Sequence, residues 1–401
     1  MGSRDKPILR TTGALSLESR VFAYLYPWDV LGDPDLVPRL VSAGIGQVCV
    51  AAAYHSVRAA TPRHPAHRFV LAETAALYRP VRGEVWAARR LVPRFAPWTG
   101  FADSFDRAVR ALDAGGLRVS AWVVLTHNST LGREHPDLVV RNCFGDRYEW
   151  ALCPTNEEVR DYAALLAAQA VRELPLEGIS IEAYGQLGAV HGGHHDKSAG
   201  AYTALCETIL SICCCDACKR GWSLRGLDPD ATQLALREAS DAAMREGATA
   251  TPEDLLGTPL AGQLLAQRQR HTDSLLTEVL SEVSDLNASL RITLHAQGAP
   301  WATGASPGLT LESAKMAHCV LVPVEPTDPG TPALIAATRS SVPSHVATAA
   351  YVNLLGPIRT AGFDEHAKRL VSAADELHLY HFGLASTRQI PLFSSLASLS
   401  S

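Results

Sequence analysis

Eight short runs along the chain are continuously apolar instead of alternating apolar with polar. They are VFAYLYP at 21–27, GIGQVCVAAAY at 44–54, LRVSAWVVLTHN at 117–128 and GISIEAYG at 178–185. LRITLHAQG (290–298), HCVLVPVE (318–325), HVATAAYVNL (345–354) and ELHLYHFGL (376–384) complete the set. Runs of this length and composition predict strands covered on both faces, as in a parallel sheet. Helical spacing separates most of them, in DPDLVPRLVSA, FADSFDRAVRALDAGG, NEEVRDYAALLAAQAVREL, TPALIAATRS and FDEHAKRLVSAA. Eight strands, most followed by a helix, is the count of a (β/α)8 TIM barrel, and that α/β fold is the expectation. No Gly-rich dinucleotide fingerprint follows the first strand, so an open doubly wound sheet is disfavoured and no organic cofactor is expected.

The pattern also divides the chain. Residues 1–19 read as a loose N-terminal leader, and 20–401 as one barrel domain. A long Pro- and Arg-rich connection runs from the second strand to about residue 102. Residues about 200–285 read as a helical insertion after strand four, broken by a cysteine cluster and by the WSLRGLDPD turn.

Composition narrows the classes. A chain of 401 residues, 47% of them hydrophobic, is ample for a large core. Its 36 basic and 41 acidic residues give a net charge of -5, with no basic stripe to attract nucleic acid or anionic lipid. The N-terminus, MGSRDKPILRTTG, has no apolar signal-peptide core, and no later run has the length of a membrane helix. A cytoplasmic protein without nucleic-acid or membrane partners is therefore expected. Barrel enzymes often assemble, so a homo-oligomer stays open, although no motif locates an interface.

Four of the nine cysteines fall within six residues, in CCCDACKRGW. Cys213, Cys215 and Cys218 have the close spacing of thiolate metal ligands, and structural zinc is the natural occupant. Such zinc needs a fourth ligand, with Cys153, Cys143, Cys206 and Cys214 as candidates. Adjacent thiols can hardly both point at one metal, which disfavours Cys214. Cys153, in the loop beyond strand three, would let the metal pin that loop to the insertion.

In a barrel the chemistry belongs at the C-terminal ends of the strands. Those ends supply Tyr24, Tyr26, Trp28 and Asp29, then Tyr54 and His55, then His127 and Asn128, then Glu182 and Tyr184. They continue with His295 and Gln297, Glu325, Tyr351 and Asn353, and His378, Tyr380 and His381. Aromatic faces stack on the apolar patches of sugar rings, while imidazoles, amides and carboxylates match hydroxyls. Tyr26, Trp28, Tyr54, His55, His127, Asn128, Tyr184, His295, Gln297, Asn353 and Tyr380 are accordingly candidate carbohydrate contacts. Glu182 is the sharpest of the set. A carboxyl directly after a β-branched core run is buried, and burial raises its pKa toward that of a general acid. The loop HGGHHDK (191–197) adds His194 and His195 as substrate or acid/base support.

These residues resemble those of glycoside hydrolase family 42, the barrel β-galactosidases. There a Cys-Pro segment with an arginine follows strand three, an acid/base glutamate sits on strand four, and a C-x-C-x-x-C cluster with an aromatic residue comes next. Here Cys153-Pro154 with Arg160, Glu182, then Cys213, Cys215, Cys218 and Trp222 stand in that order, over roughly residues 118–225. The chain is closer still to uncharacterised bacterial glycosidase-like proteins combining ALCP, a strand-four glutamate, HGxHH and the cysteine cluster. The resemblance implies a hydrolase acting on a small glycoside or oligosaccharide, with Glu182 as acid/base. It departs in two places. Ile181 stands where the family has an asparagine before the acid/base residue, and strand seven lacks the family's nucleophilic glutamate. Glu325, at the end of strand six, is then the nearest nucleophile or base. A sugar lyase or isomerase using Glu182 and the 191–195 histidines is the alternative, and a non-catalytic carbohydrate-binding protein is another.

Overall fold

The computed structural model describes residues 20–190, 197–198, 200–245, 250–356 and 362–400. The 1–19 leader and the 191–195 histidines therefore lie outside the described residues. All eight predicted apolar runs are strands: β1 Val21–Leu25, β2 Gln47–Tyr54, β3 Arg118–Val124, β4 Gly178–Glu182, β5 Arg291–His295, β6 Cys319–Val324, β7 Ala347–Asn353 and β8 Glu376–Tyr380. Each is parallel to its neighbours, and β1 pairs with both β2 and β8, closing the barrel. The continuous apolar runs follow from closure, because one face fills the barrel and the other lies under helices.

Eight helices follow the eight strands: α1 Leu36–Ser42, α2 Ser104–Ala114, α3 Glu157–Val171, α4 Thr258–Leu286, α5 Leu311–Met316, α6 Thr331–Ser341, α7 Phe363–Ala373 and α8 Ile390–Leu399. Helix α2 shows why such segments dock. Phe105, Ala108, Val109 and Leu112 recur at helical spacing and are buried. The Asp103 side chain caps the helix by accepting from the Asp106 amide, and Gly116, at φ 79°, ends it.

Local structure also occupies stretches read as plain connections. The Pro- and Arg-rich segment folds an antiparallel hairpin, Val57–Ala60 with Phe69–Ala72, and adds short strands Ala76–Leu77 and Arg94–Phe95 to the edge of β2. A second hairpin, Val139–Arg141 with Arg147–Leu152, precedes Cys153. Between β4 and α4 the described residues form four helices, Ala204–Leu210, Asp216–Ser223, Pro229–Ala243 and Pro252–Leu256. They form a satellite core around Ile209, Trp222 and Leu236. No described helix is long and apolar enough to cross a membrane.

Candidate active site and thiol centre

The C-terminal ends of the strands open into a cleft of ≈ 450 Å³. Glu182 lines it from β4, His295 from β5, Glu325 from the end of β6, Tyr351 and Asn353 from β7, and Tyr380 from β8. Tyr54 and His55 join from β2, and Trp122 from β3. Among the described lining residues are three carboxylates, those of Glu182, Glu325 and Asp328, and no lysine or arginine.

Glu182 is 5% exposed, and its Oε2 accepts a 2.8 Å hydrogen bond from the Trp122 indole. Burial raises its pKa to about 7, opposed by that hydrogen bond. Register places the indole there, since Trp122 pairs with Ser180 and Val124 with Glu182. The next residue, Ala183, takes a left-handed conformation at φ 55°. Its amide donates to the Ala305 carbonyl at 2.8 Å, and its own carbonyl accepts from the Thr126 hydroxyl at 2.7 Å. A non-glycine in that region costs of order 1–3 kcal/mol, here held by bonds on both sides. The turn fixes where Glu182 ends the strand.

Behind the cleft wall the aromatic residues pack on one another. Tyr26 stacks on Trp28 at 4.4 Å and neither lines the cleft. His55 stacks on Tyr54 and on His127, with centroids 4.2 and 4.3 Å apart. Asn128 caps the helix Ser129–Glu134 through Leu131 N and donates to Tyr162 Oη at 3.3 Å. Gln297 braces its own loop through the Ser306 carbonyl, and Tyr184 is fully buried beyond β4. Of the eleven described sugar-contact candidates, Tyr54, His55, His295, Asn353 and Tyr380 line the cleft. Glu325 is exposed at its rim. Trp122 and Ser306 were not among the candidates, and Trp122 carried only a faint signal, an indole inside an otherwise aliphatic strand.

The four predicted thiols converge. The Sγ atoms of Cys153, Cys213, Cys215 and Cys218 all lie within 4.8 Å of one another. Cys153 is 3.8 Å from both Cys215 and Cys218. A tetrahedron with metal–sulfur bonds of about 2.3 Å has edges of about 3.8 Å, so the spacing fits zinc without rearrangement. The Arg141 and Cys215 amides each donate to Cys213 Sγ at 3.4 Å, and Gln186 Nε2 reaches the sulfurs of Cys153 and Cys218 at 3.7 and 3.6 Å. Arg268 is buried beside the cluster, with its Nη1 unpartnered and the thiols supporting its charge. A buried guanidinium without a carboxylate partner is the counter-charge a thiolate centre requires. Cys214 turns away, toward the Ile212 carbonyl in the satellite core that also holds Cys143 and Cys206. Arg160 binds the Pro154 and Thr155 carbonyls at 3.2 and 3.1 Å and Glu278 at 2.7 Å, which ties the Cys153 turn to α4.

A second donor trio, Cys319, Glu376 and His378, sits at the opposite, N-terminal end of the barrel. There Arg291 already supplies the cation, 2.7 Å from Glu376 Oε1.

This is a closed (β/α)8 barrel with a buried four-cysteine cluster able to hold a metal ion. No family model matches the chain, and no curated protein matches it. Among solved structures it is similar to α-L-fucosidase isoenzyme 2 from Paenibacillus thiaminolyticus, at 12% identity and a TM-score of 0.56, over 95% of this chain and 49% of that one. The β-galactosidase from Bacillus circulans sp. alkalophilus gives 11% identity and a TM-score of 0.54, over 94% of this chain and 55% of that one. The β-galactosidase from the psychrophilic Marinomonas ef1 gives 9% and 0.55, over 94% and 59%. The chain thus spans about half the length of these proteins. At such identity the likeness is one of fold.

Proposed function

We propose that this protein hydrolyses a small, uncharged glycoside or oligosaccharide, with Glu182 as general acid/base. The observation that carries the reading is the state of Glu182, a buried carboxyl at the end of β4. Burial raises its pKa to about 7, and it faces an aromatic-lined cleft. A general acid must hold its proton near the working pH and meet the leaving oxygen, and this carboxyl meets the first condition. Glu325, exposed at the rim of the same cleft, is the nucleophile or the base that activates water. Three carboxylates, with no lysine or arginine among the described lining residues, favour a neutral ligand over an acidic sugar. The thiol cluster holds structural zinc, which pins the Cys153 loop and the Gln186 segment behind the cleft. The protein works in a reducing cytoplasm, where such thiols survive as ligands.

Hydrolysis of aryl and disaccharide glycosides in heavy-oxygen water tests the reaction class. Incorporation of solvent oxygen into the released sugar is the expected result. Product retention would place Glu325 as nucleophile, and inversion would place it as base. An unsaturated or isomeric product without solvent oxygen would replace hydrolysis by lyase or isomerase chemistry. Sugar binding without turnover, unaltered in Glu182→Gln, would leave a binding protein.

A further inference from the structure

The interiors of such barrels are ordinarily layered with branched aliphatic side chains. Here a column of polar side chains occupies the axis. At the floor Arg291 donates to Glu376 Oε1 at 2.7 Å, with both side chains partly exposed. His378 Nε2 lies 3.4 Å from Glu376 Oε2, and its Nδ1 lies 3.4 Å from the Tyr24 hydroxyl. Tyr24 meets the Ser180 hydroxyl at 3.0 Å, and His295 Nε2 lies 3.0 Å from Ser180 and 3.3 Å from Tyr24. The column ends where His295 Nδ1 faces Glu182 Oε2 at 4.0 Å. Tyr24, Ser180, His295 and His378 are each 0–1% exposed.

Ser180 can donate to Tyr24 or to His295, and the first direction fills more of the column's contacts. Glu376, charged by its pairing with Arg291, only accepts, so His378 carries its proton on Nε2. Its Nδ1 is then an acceptor, which takes the single Tyr24 hydroxyl proton. Tyr24 oxygen, its proton committed, accepts from Ser180 and from His295 Nε2–H. His295 Nδ1 is left with a lone pair, and it points at Glu182. Burial lowers the pKa values of both histidines, that of His295 to about 3, and raises that of Tyr24, so all three stay neutral. The Cys49 thiol beside Tyr24 is pushed up to about 12 and adds no charge.

We propose that this axial column, from the Arg291–Glu376 pair through His378, Tyr24, Ser180 and His295, fixes the His295 tautomer and thereby holds Glu182 in its acid form. The inference rests on the reading of Glu182 as the acid, and the residues of the column are positioning residues. Tyr24, Tyr54, Trp122, His295, Tyr351 and Tyr380 face Glu182 from β1, β2, β3, β5, β7 and β8. Trp122 favours the carboxylate by donating to it. His295 is the imidazole in that ring, and its Nδ1 can take a hydrogen bond from the carboxylic acid. The 4.0 Å gap is of the kind that tightens when substrate binds.

Tyr24→Phe removes the hydroxyl alone. Ser180 then has His295 as its partner in the column and donates to Nε2. His295 moves its proton to Nδ1 and donates to Glu182, which favours the carboxylate. Two readouts that need no turnover test this in the full chain. They are the ring-nitrogen NMR of nitrogen-labelled histidines, and the infrared carbonyl band of protonated Glu182 across a pH titration, assigned with Glu182→Gln. The parent should show His295 and His378 protonated on Nε2. Tyr24→Phe should move the His295 proton to Nδ1 and lower the Glu182 midpoint by about one pH unit, a tenfold shift. Glu376→Gln should move both in the same direction by less. A parent His295 protonated on Nδ1 would overturn the proposal, as would a Glu182 midpoint unmoved in a folded Tyr24→Phe. Absence of glycosidase activity would overturn the acid role without touching these readouts.

Discussion

The thiol cluster and the cleft both bury groups that water would ionise, and they resolve that charge in opposite ways. At the cluster, four sulfurs gather within 4.8 Å beside buried Arg268, an arrangement that gains only if the thiols ionise around a cation. At the cleft, Glu182 is surrounded by neutral phenols, an indole and a neutral imidazole, with no lysine or arginine among the described lining residues, and burial raises its pKa to about 7. A site that concentrates opposite charges is a structural fastener. One that withholds a counter-charge stores reactivity at the expense of stability.

Breaking the fastener should have the largest effect. Cys218→Ser, or stripping by a strong chelator, is expected to release one metal per chain and lower stability by well over ~3 kcal/mol. Metal analysis and thermal unfolding would read both. A metal-free parent with unchanged unfolding would assign the cysteines to simple core packing.

Removing the stored charge cost should do the reverse at Glu182. The unfolded carboxyl ionises near 4.5, and the folded one at about 7. Between those values the native state holds more protons, so this group's contribution to stability falls as pH rises. Glu182→Gln is therefore expected to match the parent near pH 4 and to exceed it at pH 7.5 by up to ~3 kcal/mol, read by denaturant unfolding. Buried His295 and His381, both lowered to about 3, act in the other window. Their unfolded forms bind protons below about 6.5, so stability falls as pH drops from 6.5 toward 3 in parent and variant alike. A Glu182→Gln difference independent of pH would contradict the raised pKa.

The smallest effect sharpens the same contrast. Trp122→Phe removes the indole hydrogen bond that favours the Glu182 carboxylate. The Glu182 midpoint, followed in the infrared, should rise by about one pH unit or less. A fall would mean that the indole acts through packing and not through its N–H.

Legibility in the sequence divides along the same line. The eight strands were readable because closure buries both faces of each, and the cysteines because three ligands fall within six residues. Cys153 was one of four candidates for the fourth ligand, favoured by its place in the loop beyond strand three, where a metal would pin that loop to the insertion. The cleft was harder, because each strand contributes one or two side chains and inter-strand register decides their neighbours. Trp122 sits beside Glu182 only because β3 and β4 pair Trp122 with Ser180. Asn128 looked like a sugar contact by its place at a strand end, yet its side chain caps a helix, a local demand that the same position also meets. The axial column is a relation among four strands, β1, β4, β5 and β8, and has no linear signature.

The central claim is that Glu182 protonates a departing oxygen, and leaving-group dependence in Glu182→Gln tests it most directly. Loss of the acid should cost about 10²–10⁴ in kcat/KM for a glycoside with a poor, alkoxide-like leaving group. An activated aryl glycoside, which departs without a proton, should lose far less. Equal losses on both substrates, or none on either, would contradict the account.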